Sequence, residues 1–440
     1  MERDQFEATV AMLDKLRRRD ERFTCLLNAE SSDFVRLNDS AIVQAGTVEQ
    51  AFLHIDWISG AKHASSDVIL TGHADLDREI ITASVGQLRE WLSVVPDDPY
   101  FIYAEEIDSS ERIELSDDRA SFETAMAKLP NGAPPMVGIW ASGMTVSGFA
   151  NDLGQRNWHQ THSFNFDWSF HIDAERAVKA NYAGQCWSDA AFEMRVNGAI
   201  VEREAMCGPM KEVGPGEYRV YLAPAALDEF LSIVSWGGFS GRAHQTKVSP
   251  LISMSEQRQS LSPLVSLREN TAEGVAPNFN ASGHRRPAQV PLIRDGVYAQ
   301  SLVSSRTAVE FGLAPNGAGL SEVPQSLDMD AGDLARNDIL RSLDDGLYIS
   351  RLWYLNFSDR TACRCTGMTR FATFRVKDGA LRHGVHPMRF DDTLFNILGN
   401  GLEALTTDRE ELLDCGTYDQ RSSRSARLPG ALVSGMRFTL

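Results

Sequence analysis

The sequence predicts an α+β fold, with N-terminal α/β sheet-and-helix domains followed by a large, mostly antiparallel β domain. Three observations predict it. Phe164, Phe166, Trp168, Phe170 and Ile172 alternate with Ser163, Asn165, Asp167, Ser169 and His171, the two-residue period of a strand. Asp75 to Val94 carries Leu76, Ile80, Leu88, Trp91 and Leu92 on one broad apolar face, and Pro96-Asp97-Asp98-Pro99 stops it, which reads as a helix. From Leu347 onward, strand-like runs are broken by Ser358-Asp359-Arg360 and Asp378-Gly379, the pattern of a meander. Boundaries are expected to divide the chain into 1–104 (N-terminal α+β), 105–210 (middle α+β) and 211–440 (C-terminal, β-rich).

In chain order, Phe6, Val10, Leu13 and Leu16 open with an amphipathic helix. Phe23–Leu27, Phe34–Leu37, Ala41–Ala45 and Ala51–Ile58 read as short strands separated by polar turns, an antiparallel sheet. Glu105 to Asp118 is an acidic, linker-like segment, followed by a helix from Phe122 to Leu129, a strand from Val137 to Val146 and a turn at Asn151-Asp152-Leu153-Gly154. Ser188 to Met206 predicts a helix weakened by Gly198. Tyr218-Arg219-Val220-Tyr221-Leu222 alternates like a strand. Pro224 then suits a helix start, Leu227, Phe230, Leu231 and Val234 recur at helical spacing, and Gly237, Gly238 and Gly241 break the helix. Ala288 to Leu302 is a hairpin around Asp295-Gly296. Ser304–Phe311 and Asp333–Asp344 are short helices stopped by Gly312 and Gly346. In the meander, Leu347–Phe357, Thr361–Thr366, Phe371–Lys377 and Ala380–Val385 are separate strands, and Thr393 to Leu398 is a short helix.

Composition excludes several function classes. The formal charge of −17 argues against a dedicated nucleic-acid binder, which carries a basic patch or stripe. The basic run Lys15-Leu16-Arg17-Arg18-Arg19 is answered by Asp20 and Glu21 and reads as a solvated helix face. No apolar signal segment follows Met1, and the longest uncharged run, Leu129 to Asn151, is interrupted by prolines and glycines, unlike a membrane span. Six cysteines in 440 residues make no disulfide framework, so a cytoplasmic, reduced protein is expected. There is no Gly-x-Ser-x-Gly elbow and no Walker loop.

The strand-then-helix at Tyr218 to Gly238, with its Tyr-x-Val-x-x-Ala-Pro pattern, resembles the TldD/PmbA (TldD/TldE) family. A second run of features follows in the family's order: Ile293-Arg294-Asp295-Gly296-Val297, Asp345-Gly346-Leu347, Ser358-Asp359-Arg360-Thr361, Thr366-Gly367, Phe371, Phe374, Lys377-Asp378-Gly379, Pro387, and Asp391 to Gly399. In one branch of that family the helix carries His-Glu-x-x-x-His, two imidazoles for zinc and a carboxylate to move the proton. The corresponding register here holds Ser232, Ile233 and Gly237, none of which can do that work, and the nearest histidine is His244. The chain therefore resembles the metal-free PmbA/TldE branch. A further departure is Phe279-Asn280-Ala281-Ser282-Gly283, where many relatives have Asp-x-Glu-Gly.

Other candidate ligands are weighed against simpler roles. Cys415-Gly416 resembles the family's Cys-Gly, whose Cys is the third zinc ligand in the metal branch. Without the two histidines it is half a site and reads as a small apolar residue. Cys363 and Cys365, with His383 and His386, are metal-like in composition but not in spacing. His159, His162 and His171 cluster in sequence but fall on different strand faces, and His54, His63 and His73 are scattered, so separate polar roles are expected. Asp391-Asp392 precedes a short helix, where a carboxylate caps backbone N–H groups; Asp344-Asp345 is a second carboxylate pair.

The resemblance implies a non-catalytic, metal-free subunit of a TldD/TldE-type cytosolic metalloprotease that degrades or processes unfolded peptides. No residue is then catalytic and none binds a cofactor or metal, zinc being expected in a TldD-like partner subunit, as a heterodimer or higher assembly. Two alternatives stay open: a divergent stand-alone metallopeptidase using Cys415, or a homodimeric peptide-binding protein without proteolysis. Some family members are labelled modulators of DNA gyrase, but nothing in this sequence supports contact with gyrase or DNA, and no membrane association is expected.

Overall fold

A computed structural model describes the chain except Met1, Asp117, Ala120, Glu175, Cys415, Thr417–Asp419 and Leu440. The first half contains α1 (Arg3–Leu16), β1 (Glu21–Asn38), β2 (Ala41–Ser59), β3 (Lys62–Leu70), α2 (Ala74–Leu92), β4 (Ser110–Glu114), α3 (Phe122–Ala127), β5 (Met136–Asn151), β6 (Arg156–His171), β7 (Ala177–Gly184) and α4 (Asp189–Met206). Among the described residues its strands form one seven-stranded sheet in the order β3-β2-β1-β5-β6-β4. β4 and β7 share the far edge of β6, β4 pairing with Asn157–Thr161 and β7 with Phe164–His171.

The second half begins with β8 (Gly216–Leu222), α5 (Pro224–Gly238), α6 (Gly241–Gln245) and α7 (Ile252–Ser255). There follow β9 (Leu267–Glu269), β10 (Val290–Arg294), β11 (Val297–Tyr298), α8 (Ser305–Phe311), β12 (Ser326–Met329) and α9 (Ile339–Leu343). The chain ends with β13 (Gly346–Asp359), β14 (Arg364–Lys377), β15 (Ala380–Gly384), β16 (Arg389–Thr393), β17 (Leu402–Leu413) and β18 (Ser425–Phe438). These strands form an eleven-stranded mixed sheet. β8 pairs in parallel with β13 and antiparallel with β18, so the path β18-β16-β14-β13-β8 closes on itself. The α+β class expected from the sequence is the class observed.

Several expectations need correction. The four short strands near the N-terminus are two long ones, β1 and β2, zipped from Glu21↔Ser59 to Asn38↔Ala41. The two meander pieces Thr361–Thr366 and Phe371–Lys377 are likewise one strand, β14. Polar residues read as breaks because the exposed half of β2, Ala41 to Glu49, is wet on both faces. In α2 the buried face is Ile81, Val85, Leu88 and Leu92, whereas Leu76, Ile80 and Trp91 are exposed, so the apolar stripe is narrower than expected. β1 pairs with β2 on one edge and β5 on the other, so the first sheet takes strands from both sides of position 104/105.

Burial explains why the halves hold together. The aromatic face of β6 (Phe164, Phe166, Trp168 and Phe170) packs with Trp140, Tyr182 and Phe192 and reaches Ala372 and Phe374 of β14. Its polar face is also covered, with Ser163, Asn165 and Asp167 all buried. The core of the second half is centred on α5, whose Leu227, Phe230, Leu231 and Val234 pack among residues of β8, β13, β14 and β18. No described helix is long and apolar enough to cross a membrane.

Phe230 is fully buried at the centre of that core. Phe230→Ala is expected to destabilise the protein by about 3–5 kcal/mol, a large-to-small cavity cost, read as a lower denaturant midpoint.

Candidate functional site

The site is built on α5. β8 delivers the chain to Pro224, which occupies the first helical turn where a missing N–H costs nothing. The apolar stripe of α5 is spent on the core, which leaves Asp228, Glu229 and Ser232 along one edge. The three positions equated above with His, Glu and His take three different environments. Ser232 Oγ accepts a hydrogen bond from the guanidinium of Arg424 at 2.8 Å. Ile233 is half-buried against the core. Gly237 has left the helix, with φ +86° following a Trp236 ψ of 82°.

That kink is held from outside. Arg360, from the turn after β13, donates to the Trp236 carbonyl at 2.7 Å and the Val248 carbonyl at 2.9 Å. Its guanidinium also stacks 4.9 Å from the Phe357 ring centroid. A Cβ at Gly237 would lie 2.6 Å from that guanidinium, so glycine serves both the positive φ and the close approach. The residues present do not fit a zinc ion. A hydroxyl, an alkyl group and a non-helical glycine supply no imidazole or thiolate, and the Arg424 cation beside Ser232 opposes a second cation.

Arg424 belongs to a strap, Gln420–Arg424, that lies over the polar face of the first sheet. Arg421 donates to the Gly143 carbonyl at 3.2 Å, and to Ser163 through its carbonyl at 3.0 Å and its hydroxyl at 2.8 Å. Burial lowers its pKa to about 10 against the pull of Glu30. Carboxyl groups around α5 are pushed the other way. Burial raises Glu229 to about 7, opposed by Arg351 and Lys179. Burial likewise raises Glu411 to about 7, and it raises Asp228 against Arg424 and Arg351. The site is thus a buried, mixed-charge seam in which several carboxyls sit near neutrality. The arginine run Arg421-Ser422-Ser423-Arg424-Ser425-Ala426-Arg427 was the sequence signal for it in an otherwise acidic chain.

The other candidate ligands are not brought together. His244 is buried, with Nδ1 3.0 Å from Ser255 Oγ and Nε2 2.8 Å from the Gly238 carbonyl, so both ring nitrogens are used in holding the glycine turn. Cys363 and Cys365 are buried in the core, and burial pushes the Cys365 thiol up to about 12. His383 pairs opposite Arg375, ten residues along β14 from Cys365, which at ~3.3 Å per residue is roughly 30 Å away. His386 lies on the same distant side, its N–H bonded to the Lys211 carbonyl.

His159 is buried, with Nε2 3.0 Å from the Val275 carbonyl, and burial lowers it to about 4; His162 is lowered by burial as well, and His171 is exposed. His54 bridges Asp56 and Asp67, His63 stacks on Phe101, and His73 precedes α2. Asp392 does not cap the helix as expected: it lies in β16 and accepts from the Thr393 N–H at 2.7 Å and the Arg437 N–H of β18 at 3.0 Å, while the Asn396 N–H of the helix goes to the Thr393 hydroxyl at 3.1 Å. Asp391 faces Arg364, and Asp345 bonds Arg375. Cys415 lies outside the described residues. Among those described, no three His, Cys, Asp or Glu side chains form a metal-holding group.

A carboxyl whose folded pKa is raised binds its proton more tightly folded than unfolded. Its stabilisation is therefore full below the unfolded value, near 4.5, and is lost as pH rises through about 7. Glu229→Gln removes that dependence. The variant is expected to gain melting temperature relative to the parent as pH goes from 5 to 8, with the gap closing at the acidic end.

The model of the PmbA/TldA metallopeptidase C-terminal domain matches residues 215–440, half of the chain. A search of curated proteins finds no match. Three solved structures share the fold. A candidate modulator of DNA gyrase from Thermotoga maritima has a TM-score of 0.76 at 15% identity, covering 99% of this chain and 100% of its own. TldE from Thermococcus kodakarensis has a TM-score of 0.75 at 14% identity, over 99% and 100%. A candidate modulator of DNA gyrase from Bacteroides thetaiotaomicron has 0.72 at 15%, over 100% and 99%. With the strand, helix and meander that carry the resemblance all inside the matched half, the chain belongs to the TldD/PmbA family of metallopeptidase type.

Proposed function

We propose that this chain is a non-catalytic, metal-free subunit of a TldD/TldE-type cytosolic metallopeptidase that acts on unfolded peptides, with the zinc held by a homologous partner. The observation that carries the reading is the state of α5. Its would-be metal positions are Ser232, Ile233 and a Gly237 already outside the helix, with the Arg424 guanidinium bonded to the first. Replacing one residue would not rebuild such a site, because the backbone as well as the side chains differs from what a metal helix needs.

Two surfaces support the rest of the reading. β3 pairs with β2 only from Ala51 to Ser59, so the outer edge of β2 from Ala41 to Glu49 is open among the described residues, with Ile42 and Val43 exposed. An extended peptide binds such an edge by adding a strand. On the second half, Trp353 and Tyr354 are exposed at 50% and 79%, and Arg370 lies 4.7 Å over the Trp353 ring. Trp, Tyr and Arg are the residues that dominate protein interfaces, which suits pairing through the C-terminal β domain. The gyrase-modulator descriptions of two neighbours find no charge complement for DNA in a chain of −17.

The test is metal content by mass spectrometry on the purified chain, alone and after co-purification with a zinc-bearing homologue. The expected result is no stoichiometric zinc in the chain alone and about one zinc per heterodimer in the complex. About one zinc per isolated chain would overturn the proposal and point to the stand-alone peptidase.

A further inference from the structure

A second cleft, distinct from the edge of α5 that carries Ser232, opens between the two halves of the molecule. It has a volume of about 460 Å³ and is walled by β7 and α4 on one side and by β13, β17 and the start of α5 on the other. Pockets of this size accept small molecules. Its lining is heavily charged, and most of that charge is matched internally. Glu410 receives Arg195 at 2.7 Å and Arg336 at 3.4 Å, and Asp408 receives Arg336 at 3.2 Å. Although burial alone would raise Glu410, these arginines hold its pKa below the usual range.

What remains after that pairing is informative. Arg351 is largely buried, its side chain 12% exposed, yet among the described residues its single side-chain hydrogen bond is to the neutral Asn181 at 2.6 Å. Glu229 is 4.0 Å away, beyond hydrogen-bond reach, and its raised pKa makes it a weak counter-ion. The Nε of Arg351 has no partner among the described residues, nor has the hydroxyl of Ser350 beside it. The first turn of α5 opens on the same cleft through Pro224 and Ala225, and its cap residue, Ala223, has no side-chain oxygen to satisfy the helix N–H groups. All four features favour an anion. Across the cleft Glu202 keeps one described partner, the Tyr348 hydroxyl at 2.8 Å. Burial raises it to about 7, against the Tyr348 hydrogen bond and a weaker pull from Arg351, and among the described residues no cation lies within ion-pair distance of it.

We infer that this cleft binds a small zwitterion bearing an α-carboxylate and an α-ammonium, a free amino acid or a short peptide, with the carboxylate on Arg351 and the ammonium on Glu202. A guanidinium fork matches a carboxylate through two parallel hydrogen bonds. The ammonium supplies Glu202 with a cation at hydrogen-bond distance, which it does not have among the described residues. A phosphate is disfavoured because a dianion would stand against both Glu202 and Glu410. Met194, Ala199, Leu340 and Leu381 provide apolar wall for a side chain. The inference does not depend on pairing with a zinc-bearing homologue.

Titration calorimetry on the full chain tests it with L-alanine, L-leucine, trialanine, trialanine amide and inorganic phosphate. Saturable binding of an amino acid or of trialanine below about 10 mM is expected, with none for the amide or phosphate, and with the loss of about tenfold or more in Arg351→Gln. Binding of the amino acids identifies a monomer site, and binding of trialanine alone identifies a peptide site. Should Arg351→Gln fail to fold, the near-isosteric Glu202→Gln reads the other end. It is expected to weaken the unmodified ligand but not its N-acetylated form, which has no ammonium. The absence of saturable binding by any free-carboxylate probe, equal binding of the amide or of phosphate, or unchanged affinity in either variant would overturn the inference.

Discussion

Strand β8 is the constraint on which the second half depends. It hydrogen-bonds β13 through Leu347↔Val220 to Ile349↔Leu222 on one edge, and β18 through Ala431↔Leu222 to Phe438↔Gly216 on the other. A strand paired on both edges cannot shift register without turning its buried side chains outward. Val220 and Leu222 are fully buried, so the exit point of the chain at Ala223 is fixed, and with it the start and direction of α5. The close approach of β18 requires small residues. A Cβ on Gly430 would lie 2.1 Å from the Tyr221 hydroxyl, so any larger residue there would have to displace the buried Tyr221 ring.

Given that frame, electrostatics inside the molecule follow from a few buried arginines. The chain is strongly acidic overall, yet the seam between its halves is lined with Arg195, Arg336, Arg351, Arg421 and Arg424. Taking charges out of water is costly unless they are paired and hydrogen-bonded. Each of these arginines meets that cost differently. Arg195 and Arg336 use carboxylates, Arg421 uses backbone carbonyls and a serine, and Arg424 uses Ser232, the serine that the family resemblance equates with a histidine of the metal branch. Arg351 is the least compensated. Carboxyls of the seam that receive no guanidinium at hydrogen-bond distance among the described residues, Glu202, Asp228, Glu229 and Glu411, all have their pKa raised because burial favours the protonated form.

Much of the candidate site is legible in the order of residues alone. The alternating Tyr218 to Leu222, Pro224, and the spaced apolar residues of α5 specify a strand and a buried helix by local rules, and the glycines specify where that helix fails. The lack of imidazoles at Ser232, Ile233 and Gly237 is a fact of the sequence. What fills the space is not legible there. Arg424 and Ser232 are 192 residues apart, and Arg351 and Asn181 are 170 apart, so no local pattern announces either contact.

The same division holds for the fold. The sequence by itself determined element type wherever periodicity was strong and ends were marked: Ser188 capping α4, Ser304 and Gly312 bounding α8, and Asp295-Gly296 turning β10 into β11. It also determined the family, because the order of short motifs survives sequence divergence. Only the tertiary structure decided that β18, with Pro429 and two glycines inside it, is a strand at all. Those residues weaken a strand locally, but burial on both faces and pairing with β12, β16, β17 and β8 outweigh the local preference. Tertiary structure alone likewise decided that β1 and β2 are single long strands, because backbone pairing between two chain segments carries them through polar residues that read as breaks in either one.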